Sequence, residues 1–173
     1  MNDKLYSIFS RRSIRKYLTD KPVPDATVSE LLEAAMAAPS AMAQDPWHFL
    51  VVRDRAALAA LAEVLPHGKM LNDAALCIVV CGEQACAHRQ ELSYLLQDCV
   101  AATENLLLAA NMLGLGAVWL GVHPNEDRVS GIRQYFGIPE AILPIAAISI
   151  GYPAEQPEAR TRFNAAVVHT EQW

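Results

Sequence analysis

From about Arg89 to Leu113 the sequence carries apolar residues at helical spacing on two faces at once. Leu92, Leu95, Leu96, Cys99, Leu106 and Ala110 form one stripe, and Tyr94, Ala101, Leu108 and Met112 form a second. A surface helix of a globular protein buries one stripe and gives the rest to water, so a helix apolar on two sides needs cover on two sides. A chain of 173 residues is enough for one domain, residues 1–173, that buries about 70% of its extended-chain surface. In so small a unit the second cover points to a partner subunit. Gly114 stops the helix in the C′ role that glycine fills without steric cost.

The remaining pattern alternates helices with short apolar strands. Leu5, Ile8 and Phe9 mark a short amphipathic helix near the start. Thr27-Val28-Ser29-Glu30 has the form of a capping box opening a helix faced by Val28, Leu31, Leu32 and Ala35, with Pro39 ending it. Asp54 caps a helix bearing Leu58, Leu61, Ala62 and Leu65. Val129, Ile132 and Phe136 mark another, closed by Gly137 and Pro139. Buried strands are expected at Trp47–Val52, Ala74–Cys81, Leu115–Val122 and Ile145–Ile150, followed by a polar, extended tail from Gly151 to Trp173. Strands separated by helices imply a layered α/β or α+β sandwich.

Composition excludes several functions. With 53% hydrophobic and 19% charged residues the chain is too apolar for disorder. Its net charge of −5 argues against general nucleic-acid or membrane-surface binding, which want a broad basic face. The stretch Leu106–Val122 is too short and too broken by Asn111 and its glycines to span a membrane. The start of the chain lacks the apolar run of a signal peptide, so a cytoplasmic location is expected. Cys77, Cys81, Cys86 and Cys99 form no CxxC pair, and Cys86 with His88 lacks a second ligand pair, so reduced thiols and no metal are expected.

Against this acidic background, Arg11, Arg12, Arg15 and Lys16 gather four of the chain's 14 Lys and Arg within six residues, with Ser13 among them. Guanidinium forks meet phosphate oxygens bidentately and stay charged, which suits a small phosphate dianion. A solvated basic patch beside a helix end is the plainer alternative. Nucleotide and catalytic motifs fail elsewhere. Gly114-Leu115-Gly116 has Trp119 where a dinucleotide fingerprint wants glycine, and there is no GxxxxGK[ST] and no GxSxG elbow. Phosphate-grade cations without acid–base apparatus suggest that a phosphorylated cofactor carries the chemistry.

Three further segments make the idea specific: Ala38-Pro39-Ser40-Ala41-Met42-Ala43-Gln44-Asp45-Pro46-Trp47-His48-Phe49, Gly114-Leu115-Gly116-Ala117-Val118-Trp119-Leu120-Gly121, and Arg160-Thr161-Arg162 after Ser149-Ile150-Gly151-Tyr152-Pro153. With Arg11-Arg12-Ser13-Ile14-Arg15 before them, and Gln97-Asp98 and Glu104-Asn105-Leu106-Leu107 in the long helix, the order resembles the FMN-dependent nitroreductase family in its short single-domain form. The resemblance covers nearly the whole chain.

It implies an α+β, three-layer sandwich with a central mixed sheet flanked by helices. It also implies a homodimer with FMN at the interface and a C-terminal tail, about 151–173, reaching the other subunit. Arg11, Arg12, Ser13 and Arg15 match positions that hold the FMN phosphate and ribityl chain, and Arg160 and Arg162 match the late basic pair at the phosphate. Pro39, Ser40 and Ala41, with the amide of Gln44, match the turn that covers the flavin ring from the partner chain. Leu120 and Gly121 match the backbone facing flavin N5 and O4. The implied activity is oxidoreduction: hydride passes from NAD(P)H through the flavin to a nitroaromatic, quinone or similar acceptor by ping-pong kinetics, and no catalytic side chain is implied. Alternatives are another flavin reaction on this scaffold, such as ene reduction or dehalogenation, a non-catalytic FMN store or sensor, or a dimeric module that has lost the cofactor. Two departures bear on flavin affinity and potential. Ala43 stands where the family usually has asparagine, and Asp45 where it often has glutamine. Trp47 and Trp119 fit core packing, with stacking on a ligand as the alternative.

Overall fold

Side-chain alternation in one dry strand sets the architecture. Within Leu76–Glu83, Leu76, Ile78 and Val80 point to one face and Cys77, Val79 and Cys81 to the other, and all six are buried. A strand dry on both faces needs a layer on each. The computed structural model, which describes residues 2–173, provides them in the order α1 (Tyr6–Ser10), α2 (Asp25–Met36), β1 (Trp47–Val52), α3 (Arg55–Val64), β2 (Leu76–Glu83), α4 (Leu92–Met112), β3 (Gly116–Gly121), α5 (Glu126–Phe136) and β4 (Ile142–Gly151). The strands lie in the order β1-β2-β4-β3, with α2 and α4 on one face and α3 and α5 on the other. This is the three-layer α+β sandwich expected. The expected mixed sheet needs correction in detail. The four strands pair antiparallel throughout, and the parallel component among the described residues is a single bridge between Ser13 and Ala117.

The long helix is covered partly from within the chain. Leu95, Cys99, Leu106 and Ala110 are fully buried under it. On its second face Asn105 Nδ2 donates to the Ala34 carbonyl of α2 at 3.1 Å, and Asn111 Nδ2 donates to Ser7 O at 3.1 Å and Ser10 Oγ at 2.9 Å in α1. Those neighbours leave Tyr94, Ala101 and Leu108 half-buried, and Val100 and Met112 exposed.

Helix ends follow their capping chemistry, with one correction. Asp54 Oδ1 accepts from Ala57 N at 2.9 Å, and Gly114 and Gly137 take the left-handed conformation at φ 73° and 64°. Thr27-Val28-Ser29-Glu30, however, lies inside α2, which starts at Asp25 behind Pro24. Ser29 Oγ donates back to Asp25 O at 3.1 Å, the bond a serine makes within a helix, not at its cap. Strand β4 begins three residues before the expected Ile145. Pro144 sits next to a bulge in β4 itself: Ile145 is the extra residue, because Val80 pairs with Ala146 and Cys81 with Pro144, so the ladder is already interrupted there.

Burial also fixes the protonation of three thiols. Cys77, Cys81 and Cys99 are free and buried, and loss of hydration pushes each up to about 12. The folded state keeps a proton that the unfolded chain gives up near pH 8.5, so this stability is complete at neutral pH and lost as pH rises toward 12. The urea midpoint is expected to hold between pH 6 and 8 and fall steeply above about 9. In the native protein a thiol reagent should titrate exposed Cys86 and leave the other three until urea is added, and rapid native labelling of all four would contradict the buried placement.

Candidate functional site

After β4 the chain turns back along the segment that follows α1. Leu18 N donates to Tyr152 O at 2.9 Å, Tyr17 bridges Pro153, and Ala154 N donates to Lys16 O at 2.8 Å. Glu155 Oε1 accepts from both Arg15 N, at 2.6 Å, and Lys16 N, at 3.1 Å. Farther on, Arg12 Nη1 donates to Glu158 O and Arg160 N donates to Phe9 O at 3.2 Å. Beneath the pair, buried Tyr17 Oη lies 2.9 Å from Ile14 O and 3.1 Å from Ser149 O, and burial raises its pKa.

This return brings Arg11, Arg12, Ser13 and Arg15 into one cleft of about 490 Å³ with Arg160, Thr161 and Arg162, on a floor of Ile8 and Phe9. Arg11 Nε pairs with Glu104 Oε1 at 3.3 Å, and among the described residues no other cation of the cleft has an ion-pair partner. Arg12 first, and then Arg162, press the Arg160 guanidinium below its ordinary pKa by charge repulsion. A cleft in that state favours a polyanion. The same return shows that residues 152–162 lie on their own chain, while residues 163–173 are exposed, Phe163, Val167 and Trp173 among them.

Beside it lies the edge of the sheet. Ile14 N donates to Ala117 O at 3.0 Å, so Ala117 turns its peptide groups away from β4, and alternation turns those of Trp119 and Gly121 the same way. Leu120 turns its own toward β4. Of the two expected residues, Gly121 therefore presents its backbone N–H on the open side, and Leu120 contributes its side chain. Arg128 Nη1 fixes the Gly121 carbonyl at 2.8 Å, and a Cβ placed on Gly121 would meet no atom within 4 Å. The edge borders a second cleft, about 650 Å³, shared by Arg15, Leu120, Gly121 and Trp119 with His67, Lys69 and Arg128. Sequence reasoning missed these last three because each is an isolated basic residue. The only signal was a His and a Lys flanking Gly68 just before a buried strand. Trp47 packs in the core, as expected, while Trp119 is half-buried and serves both core and cleft.

The structure does not bring Pro39, Ser40, Ala41 and Gln44 to either cleft of the same chain. They form a turn held on α4 by Asp98, whose Oδ1 accepts from Ala41 N at 2.9 Å while its buried Oδ2 lacks a partner. From Asp98 to Glu104, which holds Arg11, is about 9 Å along the helix. Met42, Ala43 and Asp45 adopt positive φ of 56°, 53° and 50°, a conformation that strains residues with a Cβ. Asp45 spends its carboxylate within the turn: Ser40 Oγ donates to Asp45 Oδ1 at 2.5 Å and accepts from Asp45 N at 3.0 Å. A third cleft, about 860 Å³, opens between α1, the end of α4 and the returning tail, over Leu107, Met112 and Leu115.

An α+β sandwich with a polycationic cleft beside an open, glycine-bearing sheet edge defines a protein built to hold a flat, phosphorylated ligand. The model of the Nitroreductase family matches residues 8–66 and 63–152. A candidate NADH dehydrogenase/NAD(P)H nitroreductase of Methanothermobacter thermautotrophicus is 48% identical over 99% of this chain and 88% of its own length. The crystal structure of a candidate NADH dehydrogenase/NAD(P)H nitroreductase of Bacteroides thetaiotaomicron superposes with a TM-score of 0.92 at 42% identity, covering 100% of this chain and 99% of the other. A candidate nitroreductase of Desulfovibrio desulfuricans, solved in complex with FMN, superposes with a TM-score of 0.85 at 32% identity over 100% and 99% of the two chains. The chain belongs to the nitroreductase family.

Uncompensated cations make a direct expectation for the protein without added cofactor. Inorganic phosphate at tenfold its dissociation constant should stabilise the fold by about 1.4 kcal/mol, or roughly 3–6 °C in melting temperature. Chloride at equal ionic strength should give less, and Arg160→Ala should reduce the phosphate effect. Equal shifts with both salts would mean that the cleft does not select a phosphate.

Proposed function

We propose that the chain is an FMN-dependent NAD(P)H oxidoreductase acting as a homodimer. The observation that carries this reading is the convergence of Arg11, Arg12, Ser13, Arg15, Arg160 and Arg162 on one cleft next to the open edge of β3. The residues fit the group. Guanidiniums that repel one another accept a phosphate dianion, and Gly121 turns its N–H to the unpaired side of β3, with open space where a Cβ would stand. FMN held by these residues would supply the redox chemistry, hydride transfer from NAD(P)H to a nitroaromatic, quinone or similar acceptor.

The polypeptide then has three tasks. Arg12, Arg15, Arg160 and Arg162 neutralise the phosphate, with Ser13 donating its hydroxyl and Arg11 held in place by Glu104. The Gly121 N–H offers a fixed dipole to charge that grows on the flavin edge, which stabilises it without a titrating side chain. The strained turn of Pro39, Ser40, Ala41 and Gln44, stiffened by Asp98 and Asp45, covers the ring in the other protomer's site. Two features support the dimer: the turn's remoteness from its own chain's clefts, and the half-covered face of α4 continued by the exposed residues 163–173. Donor and acceptor would use one open flavin face in turn.

A charged hydrogen bond contributes about 1.5–3 kcal/mol, so Arg15→Ala is expected to weaken FMN binding roughly 10- to 150-fold while the circular dichroism spectrum stays unchanged. Unaltered affinity in a flavin-fluorescence titration would remove Arg15 from the site. With the FMN-loaded protein, anaerobic NAD(P)H alone should bleach the flavin stoichiometrically, and double-reciprocal plots at several acceptor concentrations should run parallel. Intersecting plots would require a ternary complex and a roomier site, and a flavin that stays oxidised would make the protein a store or sensor.

Assembly has its own test. Sedimentation at micromolar concentration is expected to give a dimer with a large apolar interface. Leu108→Asp, which charges the half-covered face of α4, should yield monomer or aggregate with weakened FMN retention. A wild-type monomer that holds FMN tightly would refute the shared site.

A further inference from the structure

We infer that Glu155 is a positioning residue for the phosphate anchor: its carboxylate clamps the backbone of Arg15 and Lys16 and thereby sets the preference of the cleft for FMN over riboflavin. The inference rests on the flavin reading above and adds to it a residue that stands outside the phosphate cleft. Glu155 lines the third cleft, between α1, the end of α4 and the tail, whereas Arg15 lines the phosphate cleft. Of the arginines there, Arg11 is held by Glu104 and Arg12 by the Glu158 carbonyl. Arg15 has no ion-pair partner among the described residues, so its placement depends on its backbone.

That backbone is seated on one side and clamped on the other. The seats are the paired glycines Gly116 of β3 and Gly151 of β4. Ile14 packs on the first so closely that a Cβ there would stand 2.6 Å from it, and Tyr17 packs on the second, where a Cβ would stand 2.9 Å from the ring. Both side chains are buried. Between these anchors, Arg15 N and Lys16 N both donate to Glu155 Oε1, at 2.6 and 3.1 Å. Two successive N–H groups that converge on one oxygen make a small anion-holding concavity, and a charged acceptor makes such bonds about twice as strong as a neutral one. Ala154 N donates to Lys16 O at 2.8 Å, which fixes the base of the Glu155 side chain. The Arg15 stem therefore leaves from a set point and has less freedom to lose when it meets a phosphate.

Electrostatics alone would give Glu155 the opposite effect. A carboxylate beside an anion site repels the anion, so its removal should tighten phosphate binding. Positioning predicts a loosening, and the sign separates the two.

The test titrates FMN and riboflavin, which differ by the phosphate, into the full-length chain and its variants by flavin fluorescence. Glu155→Ala should weaken FMN roughly tenfold or more, as loss of one charged hydrogen bond does, and change riboflavin by about twofold at most. Glu155→Gln, which keeps a neutral acceptor, should fall between, and it carries the test if Glu155→Ala does not fold. In protein without flavin, the stabilisation by inorganic phosphate should shrink in the same order. Because Glu155 acts through Arg15, Glu155→Ala should cost little further FMN affinity in an Arg15→Ala background. Ile132→Val, which removes a buried methyl group in the opposite layer, should lower the melting temperature and leave the FMN-to-riboflavin ratio unchanged. FMN held as tightly by Glu155→Gln as by the wild type, or more tightly, would overturn the inference. So would an equal loss of FMN and riboflavin, additive costs in the double variant, or a ratio that follows stability in Ile132→Val. A wild-type chain that takes up no FMN would sink the flavin reading itself, whereas one that prefers FMN to riboflavin whatever stands at position 155 would sink this inference alone.

Discussion

The two ends of this chain are held side by side by backbone hydrogen bonds, and the distribution of positive charge depends on that pairing. Leu18 with Tyr152, Lys16 with Ala154 and Phe9 with Arg160 are ordinary backbone hydrogen bonds, each worth about 1 kcal/mol net. Glu155 adds a charged acceptor for two amides, and Tyr17 closes the space beneath. Together these contacts oppose the repulsion among Arg12, Arg160 and Arg162. The cleft is therefore charged before any ligand arrives, so less ordering has to occur on binding.

The sandwich supplies the other half of the site by leaving one strand half-paired. β2 and β4 are dry on both faces and flanked on both sides, so they are structural. β3 is bonded to β4 on one side only, and the Ser13–Arg15 segment covers the start of its other side. What stays open is the stretch from Trp119 to Gly121, bordered by α5 through Arg128. Cationic segment and open edge adjoin because the residues that bridge to Ala117 are those that carry the arginines.

Much of this was legible in the sequence where local chemistry decides. The run of aromatic and β-branched residues at Trp47–Val52 is the strand itself, Asp54 is the cap, and Gly114 and Gly137 are the left-handed stops. Local rules failed where longer-range contacts won. Pro144 resembles a strand breaker, yet the bulge at Ile145 beside it already interrupts the ladder and excuses its missing N–H. Thr27 to Glu30 has capping chemistry, but the helix starts earlier, behind Pro24. The two arginine groups are visible as charge runs, but about 150 residues separate them, and only likeness to a family joined them. His67, Lys69 and Arg128 carry no pattern at all, and only folding places them together. Nor does a sequence say which copy of a chain a turn such as Pro39–Asp45 will serve.

The unpaired stretch of β3 has a further consequence, for solubility. A row of free N–H and C=O groups on a sheet edge is a template for another strand, and proteins guard such edges with charge. Here Arg15, Lys69 and Arg128 flank the opening, and Arg128 occupies the Gly121 carbonyl that an incoming strand would need. These three side chains thus also act as gatekeepers against strand addition, so a chain stripped of them would lose its guard against self-association along with its charge.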